Sequence, residues 1–415
     1  MKARTVAILW IIALLLGSAV FFIKKSQGGD EKNATTRTAG QTLIQDFPAE
    51  ETSVIEINGV ENTVTLTKKD GSWIVTERDG FPANTSTIND LLRSLTELKV
   101  TQGIEAGSSF AARFGMDENS SDPLQRGLTA TFKNSGGDEL AKISFGKSLD
   151  SASSASPFGG GSTGRYVRNH ADESGFYAVS EMFSALSADP KDWLLEDFLT
   201  IEKIQTIDLT QPNSDTSEWT LTRDDENSDF KFTDAFPGVN IDTAATAPLK
   251  SLFSYTRFED LIPASEVEKL ATPEKLQKAT ITTFEGFKYE IALQPVKTEE
   301  GKVPSENFLM TVAVSAELPK ERNIPADEKP EDAAAADKAF TERLATLTKR
   351  LETAKALEGR TFELTKFTVD ALLKNRTDLM SKGDGPAPSA PTLPPGTSAV
   401  TEPIQIPYAP PTEEE

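Results

Sequence analysis

The chain has 415 residues, 26% of them charged, and a formal net charge of −21. So acidic a surface repels phosphate backbones, which excludes nucleic acid as a partner. Cysteine is absent, and with it disulfides, thiolate metal sites and cysteine nucleophiles.

Residues 1–4 are a short basic head, and residues 5–23 (TVAILWIIALLLGSAVFFI) are an uncharged apolar run flanked by Lys2, Arg4, Lys24 and Lys25. At 1.5 Å per residue, about 19 residues nearly span a hydrocarbon core of roughly 30 Å. The segment reads as an uncleaved transmembrane anchor, a membrane contact through residues 5–23. A cleaved signal peptide is the rival reading, with Gly17-Ser18-Ala19 as its small-residue site, but Phe21-Phe22-Ile23 carry the apolar run past that site. The short head and the long hydrophilic remainder favour a single-pass protein with its head in and its bulk out. Residues 24–50 show no sustained period and predict a flexible tether reaching about 25–30 Å.

Residues 51–200 predict a first α+β module. Val54-Ile55-Glu56-Ile57 open it as a strand. Val64, Leu66, Trp73 and Val75 alternate with polar residues across the turn Lys69-Asp70-Gly71-Ser72, the pattern of a half-buried hairpin. Thr87 is expected to cap a helix whose apolar stripe is Ile88, Leu91, Leu92, Leu95 and Leu98. A short helix over Phe110–Phe114 should end at a left-handed Gly115. A second hairpin turns at Gly136-Gly137, a Gly/Ser loop covers 151–164, and strands at 165–167 and 176–179 precede a short helix bearing Met182, Phe183 and Leu186.

Residues 201–382 repeat this order as a second module. Ile204–Leu209 matches the opening strand, and Trp219, Leu221, Phe230 and Phe232 match the first hairpin. A helix with Leu249, Leu252 and Phe253 follows. The hairpin 279–293 and strands at 308–314 and 361–365 complete the copy, with Phe367, Val369, Leu372 and Leu373 standing for Met182, Phe183 and Leu186. The reading is a tandem duplication of α+β modules, mixed or antiparallel sheets with helices on one face; two unrelated α+β domains are the alternative. Each Trp-bearing hairpin is expected to bury its ring against the following helix. The second copy carries a helical insertion, about 320–358, in which Phe340, Leu344, Leu347, Leu351 and Ala354 fall at coiled-coil spacing. It either packs on its own module or docks outward, giving self-association. Residues 383–415 hold nine prolines and end in three glutamates, a composition for a disordered, polyproline-like tail.

No catalytic, cofactor-binding or metal residue is assigned. His170 is the one histidine; no Gly-x-Ser-x-Gly elbow accompanies it, and it reads as a solvated loop residue. Asp225, Asn227 and Asp229 have the first spacings of a calcium loop, but Phe230 and Phe236 occupy its glycine and glutamate positions. Phe158-Gly159-Gly160-Gly161-Ser162 lacks the helix a phosphate loop needs.

The N-terminal anchor, Asp70-Gly71-Ser72-Trp73, Pro82, Phe114-Gly115-Met116-Asp117, Phe145-Gly146 and Tyr166-Val167 occur in an order that resembles the bacterial family called domain of unknown function 4340. The resemblance covers roughly 50–200 closely and 200–380 more loosely. It implies a protein anchored in a bacterial inner membrane with its bulk on the periplasmic side, in some members associated with ABC-type transport systems of the gliding-motility kind, and it carries no established catalytic residue. Two functions follow as expectations. One is a non-enzymatic accessory or scaffold with an envelope or transporter protein partner. The other is a cell-envelope glycan-binding module or a carboxylate-based hydrolase.

Overall fold

The computed structural model describes residues 35–149, 162–172, 175–214, 216–234, 240–298, 305–324 and 328–381. The expected head and anchor, the first part of the tether, residues 151–161 of the Gly/Ser loop and the expected tail lie outside these. Among the described residues no helix is long and apolar enough to cross a membrane.

The fold is α+β, with two antiparallel sheets and few helices. The first half contributes β1 (Val54–Asn58), β2 (Thr63–Lys69), β3 (Ser72–Val75), β4 (Phe81–Pro82), helix α1 (Thr85–Glu97), β5 (Val100–Ile104), a one-turn α2 (Ala111–Phe114), β6 (Leu128–Lys133), β7 (Glu139–Leu149), β8 (Gly164–Asn169) and β9 (Phe176–Val179). Its sheet runs β4-β3-β2-β1-β6-β7-β8-β9-β5. Strands β1 and β2 alternate buried residues with half-buried or exposed ones, so Ile55, Ile57, Val64 and Leu66 point into the core. Lys69 pairs with Ser72 around Asp70 (φ 51°) and Gly71 (φ 84°), the two left-handed residues that a tight hairpin with native twist needs.

The second half contributes β10 (Ile204–Thr210), β11 (Ser217–Thr222), β12 (Lys231–Phe232), a one-turn α3 (Thr243–Thr246), β13 (Asp260–Ile262), α4 (Ala264–Leu270), β14 (Gln277–Thr283), β15 (Phe287–Pro295), β16 (Phe308–Ala316), the long α5 (Pro330–Lys355), β17 (Thr361–Leu364) and the short α6 (Lys366–Val369). Its sheet runs β12-β11-β10-β14-β15-β16-β17-β13. Position by position this is the order β3-β2-β1-β6-β7-β8-β9-β5, with β4 alone lacking a counterpart. The likeness extends to contacts. Leu66 faces Val75 as Leu221 faces Phe232, and the N–H of Asn84 reaches Trp193 O (2.8 Å) as that of Asp242 reaches Leu379 O (2.9 Å).

Several elements differ from expectation, each for a local reason. Helix α1 is capped by Asn84, whose side chain accepts from Thr87 N, and Thr87 lies inside the helix; the stripe Ile88, Leu91, Leu92, Leu95 and Leu98 is buried as expected. No helix forms over Met182–Leu186, because Phe183 is left-handed (φ 50°) and turns its ring edge-on to Phe145 at 4.9 Å. Nor does one form over Leu249–Phe253. Pro248 confines that segment to a single 3-10 turn, and Phe253 is left-handed (φ 60°). Phe367, expected inside, is exposed. Residues 35–50, expected within the tether, pack on the first sheet instead. Gly40 and Gln41 exchange backbone hydrogen bonds with Val100 on the edge strand β5, and Leu43, Ile44 and Phe47 are buried, with Phe47 edge-on to Phe132 at 5.4 Å.

The tryptophans also divide unexpectedly. Both Trp73 and Trp219 are buried, but the Trp219 indole N–H is satisfied by the carbonyl of Lys374, 155 residues away, rather than within its own hairpin or the turn that follows. Buried side chains of both halves form one continuous apolar cluster. At the junction Phe81 meets Phe258 and Phe362 edge-on, with centroids 5.8 and 6.1 Å apart, and Phe198 lies against Phe253, Phe258 and Phe362. Arg360 stacks over Phe81 at 5.0 Å.

Candidate functional site

The element with no counterpart in the first half builds a cleft with apolar walls and a charged side. Helix α5 begins at Pro330, a residue preorganised for the first helical turn. It turns the stripe predicted at Phe340, Leu344, Leu347, Leu351 and Ala354 toward its own sheet; Leu347 and Ala354 are buried and the others half-buried. Its far end is fastened where Glu358 Oε1 accepts from Val314 N (2.6 Å) on β16.

Beneath the helix the β14–β15 turn, with Gly286 left-handed (φ 83°), lifts Glu285 into a nearly buried position. Three cations converge on this carboxylate: Arg350 at 2.9 Å, Lys203 at 3.2 Å and Arg343 at 3.6 Å. The Arg350 guanidinium also covers the Phe287 ring at 5.1 Å and reaches toward Thr200 O. Phe287 and Tyr289 lie parallel with centroids 5.9 Å apart. Tyr289 is wholly buried, and its hydroxyl makes no hydrogen bond among the described residues. Burial pushes its pKa above the ordinary phenol value, against the opposing pull of Arg350.

A cleft of about 380 Å³ opens here between α5 and the segment joining the two sheets. Phe198, Leu199, Ala354, Leu357 and the Tyr289 ring give it apolar walls, while Lys349 and Arg350 charge one side. That is the usual make-up of a small-molecule site, apolar walls with a few convergent polar groups. A smaller cavity, about 140 Å³, lies toward Phe284, Phe340 and Leu344.

His170 is half-buried rather than solvated. Its Nε2 lies 2.8 Å from Ser144 Oγ and 3.3 Å from Glu118 Oε1, and Ser144 Oγ also meets Thr129 Oγ1 at 2.9 Å. Burial, reinforced by Arg168, lowers the His170 pKa to about 4, so the ring is neutral at pH 7. Serine and carboxylate approach the same ring nitrogen. A hydrolytic triad needs the carboxylate on the opposite nitrogen, and Ser144 lies buried in mid-strand, so this cluster braces β6, β7 and β8. Ser144 is invisible to sequence reasoning because its partnership depends on the pairing of Thr129 with Ser144 across the sheet.

The calcium-like segment turns inward on itself. Asp225 Oδ1 accepts from Asn227 N (2.8 Å) and Ser228 N (3.1 Å), and Asp229 pairs with Lys250 at 2.7 Å. Among the described residues no group of three or more His, Asp or Glu is placed to hold a metal ion. The glycine run Phe158–Gly161 lies outside the described residues.

The motif residues named above have structural reasons. Gly115 is the left-handed C-cap of α2 (φ 72°), and its carbonyl accepts from Gly127 N at 2.6 Å. Gly146 lies at a register shift between β7 and β8, where a Cβ would stand 2.2 Å from Phe114 O. A family model described as a domain of unknown function (DUF4340) matches residues 73–284, just over half of the chain. No curated protein and no solved structure matches it. With the glycine contacts, the hairpin and the doubled strand order accounted for, the chain belongs to the DUF4340 family.

Proposed function

We propose that the chain is a single-pass, membrane-anchored accessory or scaffold without catalytic activity. In this reading residues 5–23 hold it in a bacterial inner membrane, its bulk lies on the periplasmic side, and it serves an envelope complex such as an ABC-type transport system. The observation that carries the reading is the joining of two sheets into one body. A continuous apolar core and a two-point ion pair between Arg78 and Asp260 connect the halves, and an added 26-residue helix supplies a long surface. The outer face of α5 is rich in exposed charge, with Lys338, Glu342 and Glu352 all open to solvent. Such a face suits a polar, reversible protein contact, in which charge steers encounter and sets specificity. The inner face of the same helix is committed to its own sheet.

Crosslinking in native membranes followed by mass spectrometry tests the reading. Reproducible recovery of transporter subunits joined through α5 is the expected outcome. Recovery of no protein partner, together with binding of the purified protein to cell-wall glycan, would replace the scaffold by a glycan-binding module. Orientation is tested separately: protease added to intact spheroplasts should degrade the folded part, and its survival until the membrane is broken would reverse the topology.

A further inference from the structure

We propose that the cleft under α5 is a binding site for a small amphipathic anion, an apolar chain or ring bearing one anionic head such as a carboxylate. The inference does not depend on the scaffold reading, since a ligand site and a partner surface occupy opposite faces of the helix.

Size and lining come first. At about 380 Å³ the cleft falls within the range of small-molecule sites, roughly 300–1,000 Å³, and is too small for a folded partner. Phe198, Leu199, Ala354 and Leu357 offer an apolar body nothing but carbon to touch, so burial of a chain or ring there is favourable. Thr200, Thr346 and Thr353 also border the cleft, but a wholly polar ligand would still lose its hydration along the apolar walls.

The polar end reads the head group. The Tyr289 hydroxyl is a buried donor without a partner among the described residues. Buried polar groups are nearly always satisfied, so this hydroxyl leaves an unused hydrogen-bond donor in the residue that forms the cleft wall. Beside it stand Arg350 and, toward the mouth, Lys349. Charge is in surplus near the edge of the cleft: the single Glu285 carboxylate is shared by Arg350, which lines it, and by Arg343 and Lys203 behind it, and among the described residues only Lys203 of these three has a second anion, Glu226 at 3.5 Å. An acceptor carrying negative charge therefore gains from both the hydroxyl and the unspent cations. Glu202 also borders the cleft, but it is exposed, where water and salt screen it.

The geometry also explains why a carboxylate fits better than an alcohol or an amine. An alcohol satisfies Tyr289 but leaves the cations as they were; an amine meets them as a like charge.

The test uses the full chain in nanodiscs of neutral lipid, titrated calorimetrically with octanoate, octanol and octylammonium, with empty nanodiscs as the blank. Octanoate is expected to bind one to one above the blank, octanol at least tenfold more weakly, and octylammonium not at all. Tyr289→Phe should weaken octanoate at least tenfold and octanol to a smaller degree, while leaving the melting temperature unchanged or slightly raised, because only an unpartnered hydroxyl is removed. Arg350→Gln should weaken octanoate as well, and so should Lys349→Gln at the rim of the cleft, a charge variant that does not disturb Glu285. Octanoate uptake equal to the blank, equal binding of octanoate and octanol, or an unchanged affinity in Tyr289→Phe would each overturn the proposal.

Discussion

Arg78 and Asp260 stand 182 residues apart in the chain and meet as a two-point ion pair, Nε to Oδ1 at 2.7 Å and Nη2 to Oδ2 at 2.8 Å. Both side chains are mostly covered, 15% and 17% exposed. The pair clasps the turn after β3 to β13, and the neighbouring Asp79 Oδ2 adds a bond from Ala264 N at 2.8 Å. Removing one partner leaves the other charge partly buried, so Arg78→Met should cost about 1.5–3 kcal/mol. A double-mutant cycle with Asp260→Asn, read by urea unfolding, should show coupling of similar size. Additive effects would mean that the clasp contributes nothing to holding the sheets together.

The buried histidine makes stability fall on acidification. The folded-state pKa of His170 is about 4, below the unfolded value of 6.5, so the unfolded chain binds the proton first and stability is lost as pH falls from about 6.5 toward 4. Glu118 acts in the same sense lower down. Burial alone would raise its pKa, but Lys142, His170 and Arg168 hold it below the ordinary carboxylate value, and the stability this gives disappears as the pH drops through the acid range. His170→Gln should flatten the upper part of the profile by about 2–3 kcal/mol. Thermal melts between pH 7 and pH 4 that run parallel for the two proteins would refute this.

Trp73 is 3% exposed and pairs across the first hairpin with Lys68. Trp73→Ala removes a buried aromatic and should cost about 3–5 kcal/mol. Trp219→Phe keeps most of the apolar volume but leaves the Lys374 carbonyl without its donor, an expected loss of about 1–3 kcal/mol. An unchanged melting temperature in Trp73→Ala would show that the hairpin does not depend on its ring.

Gly146→Ala tests a close approach between backbones. The added Cβ would stand 2.2 Å from Phe114 O and 2.9 Å from Met116 Cγ, so α2 must move away from β7. Overpacking of this kind costs about 1–3 kcal/mol. Chemical unfolding at 25 °C gives the number, and a variant as stable as the parent would mean that α2 shifts freely.

Short-range chemistry was legible from the sequence and long-range partnership was not. Alternation at Val64, Leu66, Trp73 and Val75 located the hairpin because a strand with one buried face must repeat every second residue. The stripe from Ile88 to Leu98 located α1 for the corresponding helical reason. The same periodicity failed at Met182–Leu186 and Leu249–Phe253, where apolar residues reach the core from turns containing a left-handed phenylalanine. Turns of that kind have no period to detect. Residues 35–50 looked like a tether because their polar composition conceals three apolar anchors, Leu43, Ile44 and Phe47, and a bond pattern supplied by the backbone. The cleft was still less accessible: it joins Phe198, Tyr289 and Arg350, residues brought together only by the path of α5 across the second sheet.

The placement of β13 imposes an order on the growth of the second sheet. This strand is made early, yet its hydrogen-bonding neighbour is β17, with Leu261 opposite Phe362, and the whole stretch 263–360 must be synthesised between them. At about 5–20 residues per second that delay is on the order of 5–20 s, long beside the microseconds in which a hairpin closes. During it Leu261 and Ile262 have no strand to join, and Phe81 of the first sheet waits without the ring of Phe362. A nascent chain stalled in this window presents sticky, unpaired backbone beside bare aromatic rings. The last strand to emerge among the described residues is thus a latch for both halves at once, and a truncation before residue 361 would leave even the earlier-made half incompletely covered.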